Sequence, residues 1–109
     1  MTEPTKKILI VEARFYDDIA DSLAAGATIV LEEAGYEWVR IEVPGVFEIP
    51  SAVQFAWNTH GYDGCVTLGC VIRGETDHYD HICREVSRKL MDQSVDYQMP
   101  HGFGILTCE

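Results

Sequence analysis

Four consecutive apolar residues, Ile8-Leu9-Ile10-Val11, place the tightest constraint on the fold. A run without polar alternation predicts a strand buried on both faces, the position of an inner strand in a parallel sheet covered by helices on either side. The following segments supply the cover. Over 17–34, Ile19, Leu23, Ala27, Val30, Leu31 and Ala34 recur at helical spacing, with Asp17 and Asp18 in the first turn and Gly35 placed to end the helix. Over 38–43, Val39, Ile41 and Val43 alternate with Arg40 and Glu42, which predicts an edge strand leaving through Pro44-Gly45. Ile49, Ala52, Val53, Ala56 and Trp57 predict a second helix ending near His60-Gly61, with Pro50 tolerated in its first turn. Cys65 to Ile72 reads as another buried strand. Arg73-Gly74-Glu75-Thr76-Asp77 then turns into a helix with Tyr79, Ile82, Cys83, Val86 and Leu90 inward, and Phe103 to Thr107 starts or forms a fourth strand.

Strand and helix alternate throughout, which predicts an open α/β sheet with right-handed crossovers and helices on both faces. With 109 residues, 47% apolar and 24% charged, and no repeat or linker, the chain makes one domain over 1–109. No apolar stretch approaches the ~18–20 residues that cross a bilayer. The start, Met1 to Lys7, is not a secretory signal either, so no membrane is expected as a partner. Eighteen acidic against eight scattered basic side chains give a net charge of −10, which would repel a phosphate backbone, and no nucleic-acid partner is expected. Cys65, Cys70, Cys83 and Cys108 read as reduced thiols of a cytoplasmic protein, and Cys65 and Cys70 point to opposite faces of their strand.

In such sheets ligands bind at the carboxyl ends of the strands, where the chain reverses direction across the sheet. That rule selects Ala13-Arg14-Phe15, Pro44 to Glu48, Cys70 to His78, and the segment after Phe103. Gly74-Glu75-Thr76 joins a strand to a helix start, where unpaired N–H groups and the helix dipole suit an anion; an ordinary cap by Thr76 or Asp77 is the plain alternative. His78, in the first turn, could move protons near neutral pH or simply face solvent. His78, His81 and Cys83 at i, i+3 and i+5 cannot all face one ion, so no metal is expected. Phe15 and Phe47 are aromatic where loops are usually polar, which fits stacking on a heterocycle, or a hydrophobic staple. Glu48 could accept hydrogen bonds from hydroxyls or be a first-turn acid. Neither a catalytic triad, a carboxylate pair, a Walker motif nor G-x-G-x-x-G is present. The residues alone reach a small anionic ligand with an aromatic or polyol part.

Taken together, Arg14-Phe15-Tyr16, Pro44-Gly45-Val46-Phe47-Glu48-Ile49-Pro50, the stretch from Gly69 to His78, and Gly102-Phe103-Gly104-Ile105-Leu106-Thr107 resemble the 6,7-dimethyl-8-ribityllumazine synthase family. The resemblance runs from about residue 7 to the end of the sequence. It implies a flavodoxin-like three-layer α/β/α sandwich around a four-stranded parallel sheet. It also implies condensation of 5-amino-6-ribitylaminopyrimidinedione with 3,4-dihydroxy-2-butanone 4-phosphate, without metal or redox cofactor. By the same resemblance Phe15 stacks on the pyrimidine, Val46 and Phe47 with Glu48 hold the ribityl chain, and Cys70, Val71 and Ile72 contact the heterocycle. Gly74, Glu75 and Thr76 then bind phosphate, His78 transfers protons, and Phe103 reaches a neighbouring subunit's site in a pentamer or an icosahedral shell of pentamers.

Three departures from the family pattern stand out. Tyr16 replaces an asparagine, and Cys70 replaces a threonine. The family continues beyond the position of Glu109 with two helices carrying a phosphate-binding arginine and an active-site lysine, so the 109 residues are expected to be part of a longer chain, or a truncation held together by assembly. Two competing expectations keep the fold but not the reaction: a non-catalytic assembly or flavin- or lumazine-binding protein, and a generic flavodoxin-like phosphate binder.

Overall fold

The apolar run near the start of the chain becomes an inner strand. In the computed structural model, which describes residues 6–72 and 78–108, β1 (Lys7–Ala13) lies between β2 (Glu37–Val43) and β3 (Gly64–Ile72). β4 (His101–Cys108) pairs with the outer side of β3, giving the order β2-β1-β3-β4. Each pairing is parallel, with Leu9 opposite Val39 and Cys65, and Thr67 opposite Phe103. Parallel neighbours cannot be joined by a hairpin, so each connection crosses over through a helix: α1 (Asp17–Glu33), α2 (Ile49–His60) and α3 (His78–Asp96). The open α/β sheet expected from the sequence, parallel and with helices on both faces, is therefore present.

Alternation along β1 feeds two separate cores. Leu9, Val11 and Ala13 pack with Val46, Ile49, Val53, Val86, Leu90 and Met99 under α2 and α3. Ile8 and Ile10 pack on the other face with Ala24, Leu31 and Leu68 under α1. β2 has one sheet neighbour, and none of its residues is fully buried, in keeping with its alternating sequence. Gly35 and Gly61 close α1 and α2 at φ 78° and 65°, a left-handed geometry that glycine adopts without strain.

One helix face differs from the expectation. Ala20, Ala24 and Leu31 are the buried residues of α1, whereas Val30 is 64% exposed. Neighbouring helix positions are ~100° apart, so Val30 and Leu31 cannot both point at the sheet. The seam follows the small residues Ala20 and Ala24, which let the helix sit close to the strands, and turns Val30 outward beside Ile29. Beyond α1 on this same face, Leu106 of β4 and Ile72 of β3 stand partly exposed, and Gly102 and Gly104 contribute no side chain.

These placements set opposite expectations for two truncations. Leu9→Ala should lower the unfolding free energy by ~2–5 kcal/mol, because it empties a closed core site. Val30→Ala should change it by no more than ~0.5 kcal/mol. Urea denaturation of the two variants measures both.

Candidate active site

Since β2 and β3 flank β1 on opposite sides, the chain reverses direction across the sheet at β1, and a crevice opens at the carboxyl ends. A cleft of about 430 Å³ lies there. Phe15 and Tyr16 enter it from the end of β1, Gly45 to Glu48 from the end of β2, Cys70 to Ile72 from β3, and Ile82 from α3. The structure thus brings together Phe15, Val46, Phe47, Glu48, Cys70, Val71 and Ile72 out of the residues selected from sequence.

A close backbone approach shapes the floor. A single 3-10 turn, Val46–Glu48, follows β2 and rests on β3 at Gly69. A Cβ on Gly69 would stand 2.8 Å from Val46 Cγ2 and 3.3 Å from Ala13 Cβ, closer than a side chain tolerates. Glycine at 69 therefore lets Val46 plug the core while Phe47 and Glu48 remain exposed at the cleft. Phe47 stacks against the His81 ring at 6.4 Å between centroids and 21° between planes. The Glu48 carboxylate folds back over Gly45, with Oε2 3.0 Å from the point a Cβ there would occupy.

The end of β1 adds further aromatic rings to the cleft. Phe15 is 74% exposed and meets Tyr16 edge-on, 4.9 Å between centroids at 78°. Behind it lies a charged cluster. Glu12, fully buried, accepts hydrogen bonds from Arg40 Nε at 3.0 Å, Arg40 Nη2 at 2.8 Å and Arg14 Nη1 at 2.8 Å. Burial on its own would raise the Glu12 pKa, but the hydrogen bonds and charges of Arg40 and Arg14 outweigh it and hold the carboxyl below its ordinary value. The Arg14 pKa is raised in turn, first by its hydrogen bond to Asp21 and then by Glu12.

Other expected residues lie apart from the cleft. Phe103 is 52% exposed on β4 and stands edge-on to His101. It borders a smaller cavity of about 140 Å³ that shares Val46 and Val71 with the cleft. His101 is hydrogen-bonded to Thr67 Oγ1 at 2.8 Å, and burial lowers its pKa. Cys65, at the far end of β3 from the cleft, has its thiol pushed up to about 12 by burial, which leaves it an inert apolar side chain. Gly74, Glu75 and Thr76 fall outside the described residues. His78 is the first residue of α3, and its side chain is likewise outside the description. Among the described residues, no three of His, Cys, Asp and Glu are grouped to hold a metal ion, and no helix is long and apolar enough to cross a membrane.

Tyr16, His81 and Ile82 are site neighbours that the sequence reading did not select for these roles. In the sequence Ile82 carries only a core signal, and His81 stands out only as one of three metal-ligand types whose spacing cannot serve one ion. Adjacency to Phe15 was the available signal for Tyr16.

Two glycine substitutions test the close approach. Gly69→Ala should destabilise by ~1–3 kcal/mol through overpacking and should distort the cleft floor. Gly26→Ala, within α1 and with open space around the added methyl, should stabilise by ~0.5–1 kcal/mol. Equal shifts of the same sign in thermal unfolding would refute the packing described at Gly69.

Comparison with known proteins adds an independent line. Residues 5–109 match the family model described as 6,7-dimethyl-8-ribityllumazine synthase. A protein of that name from Methylobacterium radiotolerans is 52% identical over 103 residues, covering 94% of this chain and 63% of the relative. One from Agrobacterium fabrum is 53% identical over 107 residues, covering 94% and 72%. One from Bartonella bacilliformis is 52% identical over 104 residues, covering 94% and 68%. The chain thus spans about two thirds of the length of these curated relatives.

Proposed function

Because the chain belongs to the 6,7-dimethyl-8-ribityllumazine synthase family, we propose that it condenses 5-amino-6-ribitylaminopyrimidinedione with 3,4-dihydroxy-2-butanone 4-phosphate to 6,7-dimethyl-8-ribityllumazine, in riboflavin biosynthesis. The observation that carries this reading is the cleft itself. It is lined by an exposed aromatic ring from the end of β1, by the end of β3, and by a turn that carries a carboxylate. A flat heterocycle with a hydroxylated chain has the shape and polarity to occupy it.

The pyrimidine's primary amine attacks the ketone carbon and water leaves, giving an imine. Phosphate is eliminated from the four-carbon unit, and the ribityl-bearing nitrogen then closes the second ring with loss of water. Every step moves protons and leaving groups alone, so no redox or metal cofactor enters the proposal. Phe15 stacks on the ring, backbone groups at Cys70, Val71 and Ile72 meet its edge, and the backbone around Val46 and Phe47 with the Glu48 carboxylate holds the ribityl hydroxyls. Holding amine and ketone in register can supply ~7–11 kcal/mol of the barrier reduction in well-aligned cases. Gly74, Glu75 and Thr76, which precede His78 in the sequence, take the phosphate, and His78 transfers protons as it departs.

Assembly belongs to the same proposal. Phe55 on α2, Met91 and Val95 on α3, and Phe103 on β4 are large apolar side chains left exposed on this subunit, and contacts between subunits would cover such surface. A closed ring of five subunits, alone or in a shell, covers them without open-ended growth, and Phe103 of one subunit completes the cleft of the next. The reduced thiols Cys65, Cys70 and Cys83 suit a cytoplasmic setting.

Purified protein given both substrates should produce lumazine fluorescence; ligand binding without product would favour a non-catalytic lumazine-binding protein. Phe15→Ala should raise the KM for the ribityl pyrimidine and leave that for the butanone phosphate unchanged, since stacking touches only the ring. His78→Ala should lower kcat by ~10²–10⁴-fold with little change in affinity. Mixing Phe103→Ala with His78→Ala subunits should restore part of the activity, and no recovery after confirmed exchange would contradict a shared site.

A further inference from the structure

Glu12 is the one fully buried acidic residue among the described residues, and it does not line the cleft. Burying a carboxylate is costly unless it is paired, and a well-packed apolar residue is often as stabilising as a buried ion pair. Stability is therefore a weak explanation for its presence, and the geometry offers a stronger one.

We propose that Glu12 is a positioning residue, which acts through Arg14 to fix the Phe15–Tyr16 connection and so the aromatic wall of the cleft. The inference rests on the reading of Phe15 as the stacking surface. Arg40, on the neighbouring strand β2, grips Glu12 with two hydrogen bonds, one to each carboxylate oxygen, so the carboxylate cannot turn. Glu12 in turn holds Arg14 Nη1. The Arg14 guanidinium then reaches past two residues into α1: Nη2 donates to Asp21 at 2.6 Å, and Nε lies 3.4 Å from Asp17. Its backbone N–H donates to Val43 O at 3.0 Å, tying the same point to the end of β2.

The residues bridged by that guanidinium are Phe15 and Tyr16, both of which line the cleft. A ring three-quarters exposed has little packing of its own to set its pose, so the flanking anchors must set it. Asp17, Asp21 and, at 3.9 Å from Arg14 Nε, Glu42 are exposed carboxylates, whose pairing with Arg14 is weakened by water. Glu12 is the dry end of the staple, and its loss leaves Arg14 held only by the wet end.

The test places fluorophenylalanine at the four phenylalanines of the ligand-free protein and assigns each fluorine resonance by a Phe→Leu variant. Glu12→Gln keeps the shape and removes the charge; Asp21→Asn loosens the other end of the staple on the surface, where folding is not at stake. Both should shift the Phe15 resonance and leave those of Phe47, Phe55 and Phe103 in place. Glu12→Gln should also raise the KM for the ribityl pyrimidine by ~10–100-fold, the scale that misplacing a positioning group brings, with the KM for the butanone phosphate unchanged. An unmoved Phe15 resonance in Asp21→Asn, and in Glu12→Gln where it folds, overturns the proposal. If the resonance shifts while Phe15→Ala leaves pyrimidine binding intact, the stacking role falls and the positioning of Phe15 by Glu12 stands.

Discussion

Everything in this structure follows from the demand that β1 be paired along both edges and covered on both faces. Parallel partners on either side exclude hairpins, so each connection must cross over through a helix. Two apolar faces require helices on both sides, which α1 supplies on one and α2 with α3 on the other. The same arrangement gathers the carboxyl ends of β1, β2 and β3 around one crevice. The cleft is therefore a consequence of how the core is closed, before any residue in it is chosen for chemistry.

Within that crevice, apolar packing and charge divide the work. The floor is fixed by contact: Gly69 admits Val46, and Val46 sets where Phe47 and Glu48 emerge. The wall carrying Phe15 has no comparable packing and depends on ion pairs behind it, where Arg40, Glu12 and Arg14 link two strands to α1. Such a split suits a site that works by alignment, because each wall is held from outside the space the ligand fills.

Elements were legible in the sequence wherever the signal was local. The run Ile8 to Val11, the alternation of β2 and the positions of Gly35 and Gly61 each depend on a few neighbouring residues, and each matches the observed element. The inward seam of α1 was less legible. Whether Val30 or Ala20 faces the sheet depends on how closely the helix approaches it, and periodicity treats both as apolar. In the cleft, Phe15, Phe47 and Glu48 stood out because they are unusual residues at strand ends. The Phe47–His81 stack and the Glu12 cluster join residues far apart in sequence, and no spacing rule reports such pairs. Phe103 stands out through its motif, whereas its place outside this chain's own cleft follows from the pairing of β4 with β3, which no local signal reports.

The central claim is that the crevice beside β1 receives the ribityl pyrimidine. A crystal structure of the protein with that compound bound tests it most directly. The account predicts the heterocycle lying flat on Phe15 with its edge along Cys70 to Ile72 and the ribityl chain over Val46 to Glu48. A heterocycle bound elsewhere, or bound in the crevice without touching Phe15, would contradict it.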